Sequence, residues 1–404
     1  MPLQGRDVVL VDALRTPFGR AKSDGLYAHT RADDLAVPLL RELLRRHGQI
    51  PAESIDEIAF AATSQVGDQG LTLGRSLGLL AGLPPTVPGY AIDRMCAGAM
   101  TAVTSVAAQI AVGAAETAIA GGLEHMGRHP LGKNADPNPR FQTERLVSSD
   151  ALVMGATAEN LHDEYPALTR ERADAYAEAA QRKYATALEA GQIGPDLVPV
   201  AVSDPDRGWG LATADEPPRP GTTVAGMADL PTPFRSGGRV TAATSSPLTD
   251  GATAALLTSA ENAAQLGVAP MARLVSYAYA GVDPALMGLG PIPATRKALQ
   301  HAGLEIGDIG LIEINEAFAV QVLAFLDAFD IADDDSRVNP YGGAIAVGHP
   351  LAASGVRLMG QLARQFAAHP EVRYGLTTMC VGLGQGGAVI WENPHFEQHK
   401  EEQR

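Results

Sequence analysis

Residues 96–122 read CAGAMTAVTSVAAQIAVGAAETAIAGG. An Ala-rich run, Cys96 to Val112, has the character of a long helix; Thr117 to Ala120 then reads as a strand, and the pair Gly121-Gly122 as its closing turn. The same order returns in the last third, where a helical segment from Ser354 to Phe366 leads to the extended run Tyr374 to Met379 and the turn Gly382-Leu383-Gly384. Two units of one design point to an internal duplication, the alternative being a chance likeness of two α/β units. Glycine turns at such strand ends suit close approach of the backbone to a ligand.

Outward from these units the rhythm continues. Val8 to Val11 and Ile55 to Ala62 read as strands and Leu35 to His47 as a helix, while Ala294 to Ala302 is helical and Ile309 to Ile314 extended. Strands alternating with helices argue for an α/β fold with helices covering a sheet. Gly127 to Ser245 breaks the pattern: Pro130 to Arg140 and Asp204 to Pro233 are rich in Pro, Gly, Asp and Arg, and only Arg170 to Ala190, opened by Thr169, is strongly helical. This reads as an inserted excursion, a common place for substrate contacts and equally suited to a cover or an oligomer contact.

Composition narrows the function. With 404 residues, 46% of them apolar, the chain can bury two or three domains. A net charge of −15 and the lack of any Lys/Arg-rich block disfavour nucleic acid. The apolar run near the start is too short for a membrane span or a signal-peptide core, so a cytoplasmic protein is expected. Two cysteines make no disulfide framework, and no Cys-x-x-Cys or His-x-x-x-His spacing suggests a metal.

Four positions offer chemistry. Cys96 stands where extended chain gives way to helix, a place whose free N–H groups lower a thiol's pKa; the competing reading is a small buried hydrophobe. Cys380 opens a run with four glycines in eight residues, either an anion-cradling loop or a tight strand connection. His349, between Gly348 and Pro350, is fixed on a loop ahead of a helix and could take a thiol's proton. Asn315-Glu316-Ala317-Phe318 follows an apolar strand, where Asn315 could hold a water or an oxyanion, or merely cap the next helix.

Together these segments resemble the thiolase family, in order from Arg15-Thr16-Pro17-Phe18-Gly19 to Gly386-Gly387-Ala388. The family's nucleophile motif falls on Cys96, its Asn-Glu-Ala-Phe motif on Asn315 to Phe318, its Gly-His-Pro motif on Gly348 to Pro350, and its Cys-x-Gly motif on Cys380 to Gly382. The resemblance implies duplicated βαβαβαββ halves in a layered α-β-α-β-α core with an inserted loop domain. It divides the chain into residues 1–122 (completed by about 247–268), a loop domain over 123–246 for coenzyme A, a second half over 269–395 and a charged tail over 396–404.

The activity implied is that of a 3-ketoacyl-CoA thiolase of fatty-acid β-oxidation. Cys96 is the nucleophile, His349 its base, Asn315 the holder of an oxyanion-binding water, Cys380 the acid and base at carbon, and Gly382 a second oxyanion donor. Met154, Arg219, Ser246, Ala317 and Phe318 match the family's coenzyme A contacts. Coenzyme A is a substrate, with no tightly bound cofactor or metal, and a homodimer or homotetramer, with a possible hydratase/dehydrogenase subunit, is implied. Condensing enzymes that load a carrier protein have two histidines where this chain has Asn315 and Cys380, which disfavours them. A biosynthetic acetyl-CoA acetyltransferase and an inactive scaffold subunit are the other readings. Departures from the family pattern fall around the pocket, at Asp93, Ala97 to Ala99, Val153, Thr244 and Ala352.

Overall fold

The structure, a computed structural model, describes residues 6–133, 135–204 and 208–396. The charged tail expected over 396–404 lies outside them apart from Phe396. The main sheet contains β1 (Val8–Arg15), β2 (Glu57–Ala61), β3 (Tyr90–Ile92), β4 (Thr117–His125), β5 (Thr249–Ser259), β6 (Ala272–Gly281), β7 (Ile309–Ile314), β8 (Tyr374–Val381) and β9 (Gln385–Glu392). Across the sheet they run β7-β8-β9-β6-β1-β5-β4-β2-β3, with the short Gly19–Arg20 strand paired to the margin of β5.

The order carries the duplication. In the first half the strands stand third, second, fourth, fifth, first, that is β3-β2-β4-β5-β1. The second half has the same order once the isolated bridge of Val338 to Ile312 is taken as its third strand. Within the sheet, the paired residues Val9 with Arg273 and Leu10 with Ala272 join the halves. In each, parallel pairing (β2 with β3 and β4; β7 with β8) aims the strands' carboxyl ends the same way, and ligands bind at such ends.

Three hydrophobic cores fill five layers. Helices α1 (Ala32–Arg46) and α2 (Leu73–Ala81) cover one face of the first half through Leu35, Leu39, Leu40, Leu73 and Leu77. Helix α3 (Gly98–Ala111) and the helix Ser354–Ala368 share the middle core, packed against apolar residues of both halves of the sheet. The far face is covered by Pro291–Ala302 and Ala319–Ala328, with the inserted helices Met154–Glu164 and Arg170–Glu189 packed onto them. Counted in chain order these are α4 (Met154–Glu164), α5 (Arg170–Glu189), α6 (Pro291–Ala302), α7 (Ala319–Ala328) and α8 (Ser354–Ala368). Thr169 caps α5 as its sequence predicts, its hydroxyl accepting the Arg172 amide at 3.2 Å.

Two sequence expectations change. Gly121-Gly122 is no turn: β4 continues to His125, with Gly121 opposite Ala254 and Gly122 opposite Thr253. These glycines serve closeness, since a Cβ on Gly122 would lie 2.2 Å from the Ala352 carbonyl oxygen and 3.1 Å from Ala99 Cβ. Likewise Cys380, Gly386 and Gly387 belong to strands, and only Leu383 and Gly384 in that run take positive φ, in the turn between β8 and β9. Period and composition reveal which segments extend; they do not reveal that a second backbone lies on a glycine.

Gly122→Ala is therefore expected to destabilise the fold by about 1–3 kcal/mol through overpacking, read as a lower midpoint in urea or thermal unfolding. An unchanged midpoint would mean that the segment bearing Ala352 yields freely.

Candidate active site

The candidate side chains come from the turn after β3, the loop after β7, the segment before Ser354–Ala368 and the end of strand β8. After β3, Met95 takes φ 44°, a left-handed conformation costing about 1 kcal/mol for a side-chain-bearing residue. The Asp93 carboxylate holds this turn by accepting the Met95 amide at 2.6 Å, and the Arg94 guanidinium lies over the Tyr279 ring at 3.8 Å. Cys96 follows in a 3-10 turn that opens α3, 6% exposed.

Its electrostatics differ from the sequence expectation. The amides of Gly382 and of Cys96 itself do favour the thiolate, but burial outweighs them and pushes the thiol up to about 11, with smaller upward effects from Glu124 and Asp93. At Cys96 the removal of water outweighs the lowering effect of the helix start. At neutral pH Cys96 is a thiol and needs a base.

His349 is the candidate base. Gly348, at φ 101° and with its α-carbon against Thr249, turns the chain so that the imidazole is buried, 4% exposed. Ser354 Oγ lies 2.5 Å from His349 Nδ1 and 3.2 Å from the Pro350 carbonyl oxygen. In the tautomer where the hydroxyl donates to that carbonyl, Nδ1 carries the proton and Nε2 keeps its lone pair; Nε2 is buried without a partner. Burial first, and the Arg357 charge second, pull the imidazole down to about 3, so it is neutral at pH 7.

Asn315 follows β7, where Asn339 grips the Ile314 backbone by two hydrogen bonds of 2.9 Å and the Asn315 amide donates to Thr378 at 2.9 Å. Glu316 is tied to Tyr176, Asn339 and the Ile345 amide at 2.8–3.0 Å. Locked on both sides, Asn315 is fully buried, and neither polar atom of its side chain has a partner. The capping alternative fails, because α7 starts at Ala319 without a side-chain cap. A buried amide with no partner is costly unless something fills the space before it.

Cys380, in β8, is fully buried and faces α7, its Sγ 3.7 Å from Gln321 Oε1. Burial raises its pKa well above the usual thiol range, and negative charge on Cys96 raises it further. Around them, the Met154 sulfur lies 3.8 Å from where a Cβ on Gly382 would sit. The Ser246 amide donates to the Ala317 carbonyl at 3.0 Å, Ser245 bridges to Phe318, and Phe234 stands edge-on to Phe318 at 6.3 Å. Arg219 is exposed, its amide held at 2.8 Å by Gln181, whose side chain also donates to Ile345.

Sequence reasoning missed Glu124, Gln321, Ser354 and Phe234. Glu124 is buried at the end of β4 and accepts the amides of Thr63 and Ala352 and the side chain of Gln69, joining the turn after His349 to the first half. A single charge ending an apolar strand was a signal for Glu124, and a lone amide in the apolar helix α7 for Gln321. No group of three or more His, Cys, Asp or Glu that could hold a metal occurs among the described residues, and none of their helices is long and apolar enough to cross a membrane.

Comparison with known proteins gives one consistent answer. The family profile described as "Thiolase, N-terminal domain" matches residues 8–261, and "Thiolase, C-terminal domain" matches residues 268–393. A 3-ketoacyl-CoA thiolase of Saccharophagus degradans is 43% identical over 97% of this chain and 100% of its own length, and one of Photobacterium profundum 42% over 96% and 99%. Among solved structures, human mitochondrial 3-ketoacyl-CoA thiolase superimposes with a TM-score of 0.86 at 33% identity, covering 96% of this chain and all of that one. The acetyl-CoA acetyltransferase of Bacillus anthracis gives 0.85 at 35%, covering 96% and 98%.

Asp93 offers a test of the electrostatics. Asp93→Asn keeps an oxygen to accept the Met95 amide but removes a negative charge that opposes ionisation of Cys96. The thiol's pKa is expected to fall, so alkylation of Cys96 by iodoacetamide at pH 8 should quicken two- to threefold or more. An unchanged rate would show that the Asp93 charge is screened from the sulfur.

Proposed function

The chain belongs to the thiolase family, and from that premise we propose that it is a 3-ketoacyl-CoA thiolase, transferring the acyl group of a 3-ketoacyl-CoA to coenzyme A with release of acetyl-CoA. The observation that carries the reading of the site is the unpartnered, buried state of His349 Nε2 and the Asn315 amide, together with the burial of both free thiols.

In this reading His349 Nε2 takes the Cys96 proton as the sulfur adds to the 3-keto carbon. The imidazolium, with a water held by Asn315, stabilises the resulting oxyanion. Re-forming the carbonyl expels the two-carbon fragment as an enolate, which Cys380 protonates at carbon. The acyl group then rests on Cys96. Coenzyme A gives its thiol proton to the Cys380 thiolate and attacks the thioester, whose oxyanion faces the amides of Cys96 and Gly382. Collapse expels the Cys96 sulfur, which recovers its proton from His349. A deeply buried Cys380 suits the carbon acid: its thiolate is an unusually strong base.

Coenzyme A would run over Met154, Ser246, Ala317 and Phe318, with Arg219 at its phosphate-bearing end. The division into two halves and a coenzyme A-binding unit over 123–246 belongs to the same proposal, as do a cytoplasmic location, the absence of a tightly bound cofactor, a homodimer or homotetramer and a hydratase/dehydrogenase partner. Exposed Leu71, Leu79 and Leu80, beside the edge strand β3, support a covered surface there.

Two outcomes are expected. Cys96→Ala abolishes the acyl adduct seen by intact mass after mixing with a 3-ketoacyl-CoA, whereas Cys380→Ala still exchanges acyl groups between acyl-CoA and Cys96 but loses carbon–carbon cleavage by more than about a thousandfold; an adduct on the Cys96→Ala protein would overturn the assignment. A long-chain 3-ketoacyl-CoA is thiolysed with a higher kcat/KM than acetoacetyl-CoA. Reaction of the short substrate alone would favour the acetyl-CoA acetyltransferase reading instead.

A further inference from the structure

Between Ala319 and Leu326 helix α7 carries a single polar side chain, Gln321, and it is fully buried. Its stem is clamped: a Cβ on Gly288, in the 3-10 segment Pro284–Leu289, would lie 3.0 Å from both Gln321 Cβ and Cγ. The amide head has one hydrogen-bond partner among the described residues, the Cys380 sulfur at 3.7 Å from Oε1, and Nε2 is buried with none. Leucine or methionine would fill that space without burying an unsatisfied donor, so the amide costs stability where it stands. That cost falls at the thiol which the proposed reaction uses both as acid and as base.

We propose that Gln321 is a positioning residue for Cys380: its amide accepts from the thiol through Oε1 and, once the proton has gone to carbon, turns to donate Nε2–H to the thiolate. The proposal rests on Cys380 acting as the carbon acid and base of a thiolase. An amide's oxygen and nitrogen fill nearly the same space, and the terminal torsion of a glutamine is soft and close to two-fold. No other described group holds either end of this amide, so turning it breaks only the bond to sulfur. Over one turnover the proton leaves Cys380 Sγ for the enolate carbon, and the coenzyme A thiol returns one to the sulfur. The amide follows the sulfur's charge and neither gains nor loses a proton. Burial and an ionised Cys96 both oppose the Cys380 thiolate, and its own backbone amide favours it; Gln321 Nε2 supplies a second donor.

Gln321→Leu removes donor and acceptor and fills the space. Thiolysis of a 3-ketoacyl-CoA should lose about tenfold or more in kcat with KM little changed, and exchange of the acetyl-CoA methyl protons with deuterium oxide should fall in step. Acyl exchange between acyl-CoA and Cys96, which survives without Cys380, should change by less than about threefold. A second measurement needs no substrate. In the Cys96→Ala protein, alkylation of Cys380 by iodoacetamide at pH 9, scored by peptide mass, should slow about tenfold when Gln321 is also replaced, because less of the thiol is ionised. A void left by lost packing would quicken alkylation instead. This arm reads the Gln321–Cys380 contact even if the protein is no thiolase, so the two failures are separable. The urea midpoint should hold or rise, since an unpaired buried donor has gone, and Gln321→Met carries the same test should the leucine variant not fold. A folded variant in which thiolysis and acyl exchange fall equally, or in which Cys380 is alkylated as fast as before, overturns the proposal.

Discussion

Removal of water from the Cys96 thiol and the His349 imidazole governs the rest of the structure. In water a thiol and an imidazole differ by only about two pKa units, and a thiolate–imidazolium pair is within easy reach. Buried, the thiol rises to about 11 and the imidazole falls to about 3, so the resting site holds two neutral groups. In the proposed reaction charge would appear only as the substrate arrives, to be met by donors and acceptors already fixed in place. The Gly382 and Cys96 amides, the Asn315 side chain and His349 Nε2 are such donors and acceptors, held by backbone or by rigid neighbours.

Holding those groups dry and in place requires both halves of the duplication. Cys96 opens the central helix of the first half, whereas Ser354, which fixes His349, opens that of the second. These helices share one core, and Glu124 ties the turn after His349 to the first half through the Ala352 amide. Gly122 lets that turn lie directly on β4. The strand order repeats, but the helix starts differ, one bearing Cys96 and the other the Ser354 that holds His349, so the proposed site needs both halves.

Much of this was legible in the sequence. Helices and strands fell within a few residues of their positions, since apolar period and flanking glycines report burial directly. The four candidate residues stood out because cysteine, histidine and asparagine occur there in glycine-rich motifs or after apolar strands. Less legible was anything set by approach through space: Gly121-Gly122 passes for a turn because its neighbours on Phe60, Thr253 and Ala352 are distant in the chain. The Cys96 thiol was misjudged for the same reason, as the helix start is local and the burial is not. Gln321 and Glu124 were each a lone polar residue in an apolar run, a pattern that draws notice only once the fold shows what they face.

Helix α8 shows where such reading stops. Its sequence places Ser354, Arg357, Gln361 and Gln365 at intervals of three and four, which puts them on one face, and a polar stripe of that kind ordinarily looks into water. Here Ser354, Arg357 and Gln365 are buried, and Gln361 is half-buried, because α8 lies between the halves of the sheet and has neighbours on nearly every side. A helix enclosed in that way could pack more tightly with apolar residues, and a charge buried without direct pairing weighs against stability. The stripe begins at the residue holding His349, and its Gln361 and Gln365 donate to the carboxylate of Glu313, two residues before Asn315. Polarity on this helix is thus gathered beside the proposed base, within an otherwise apolar core.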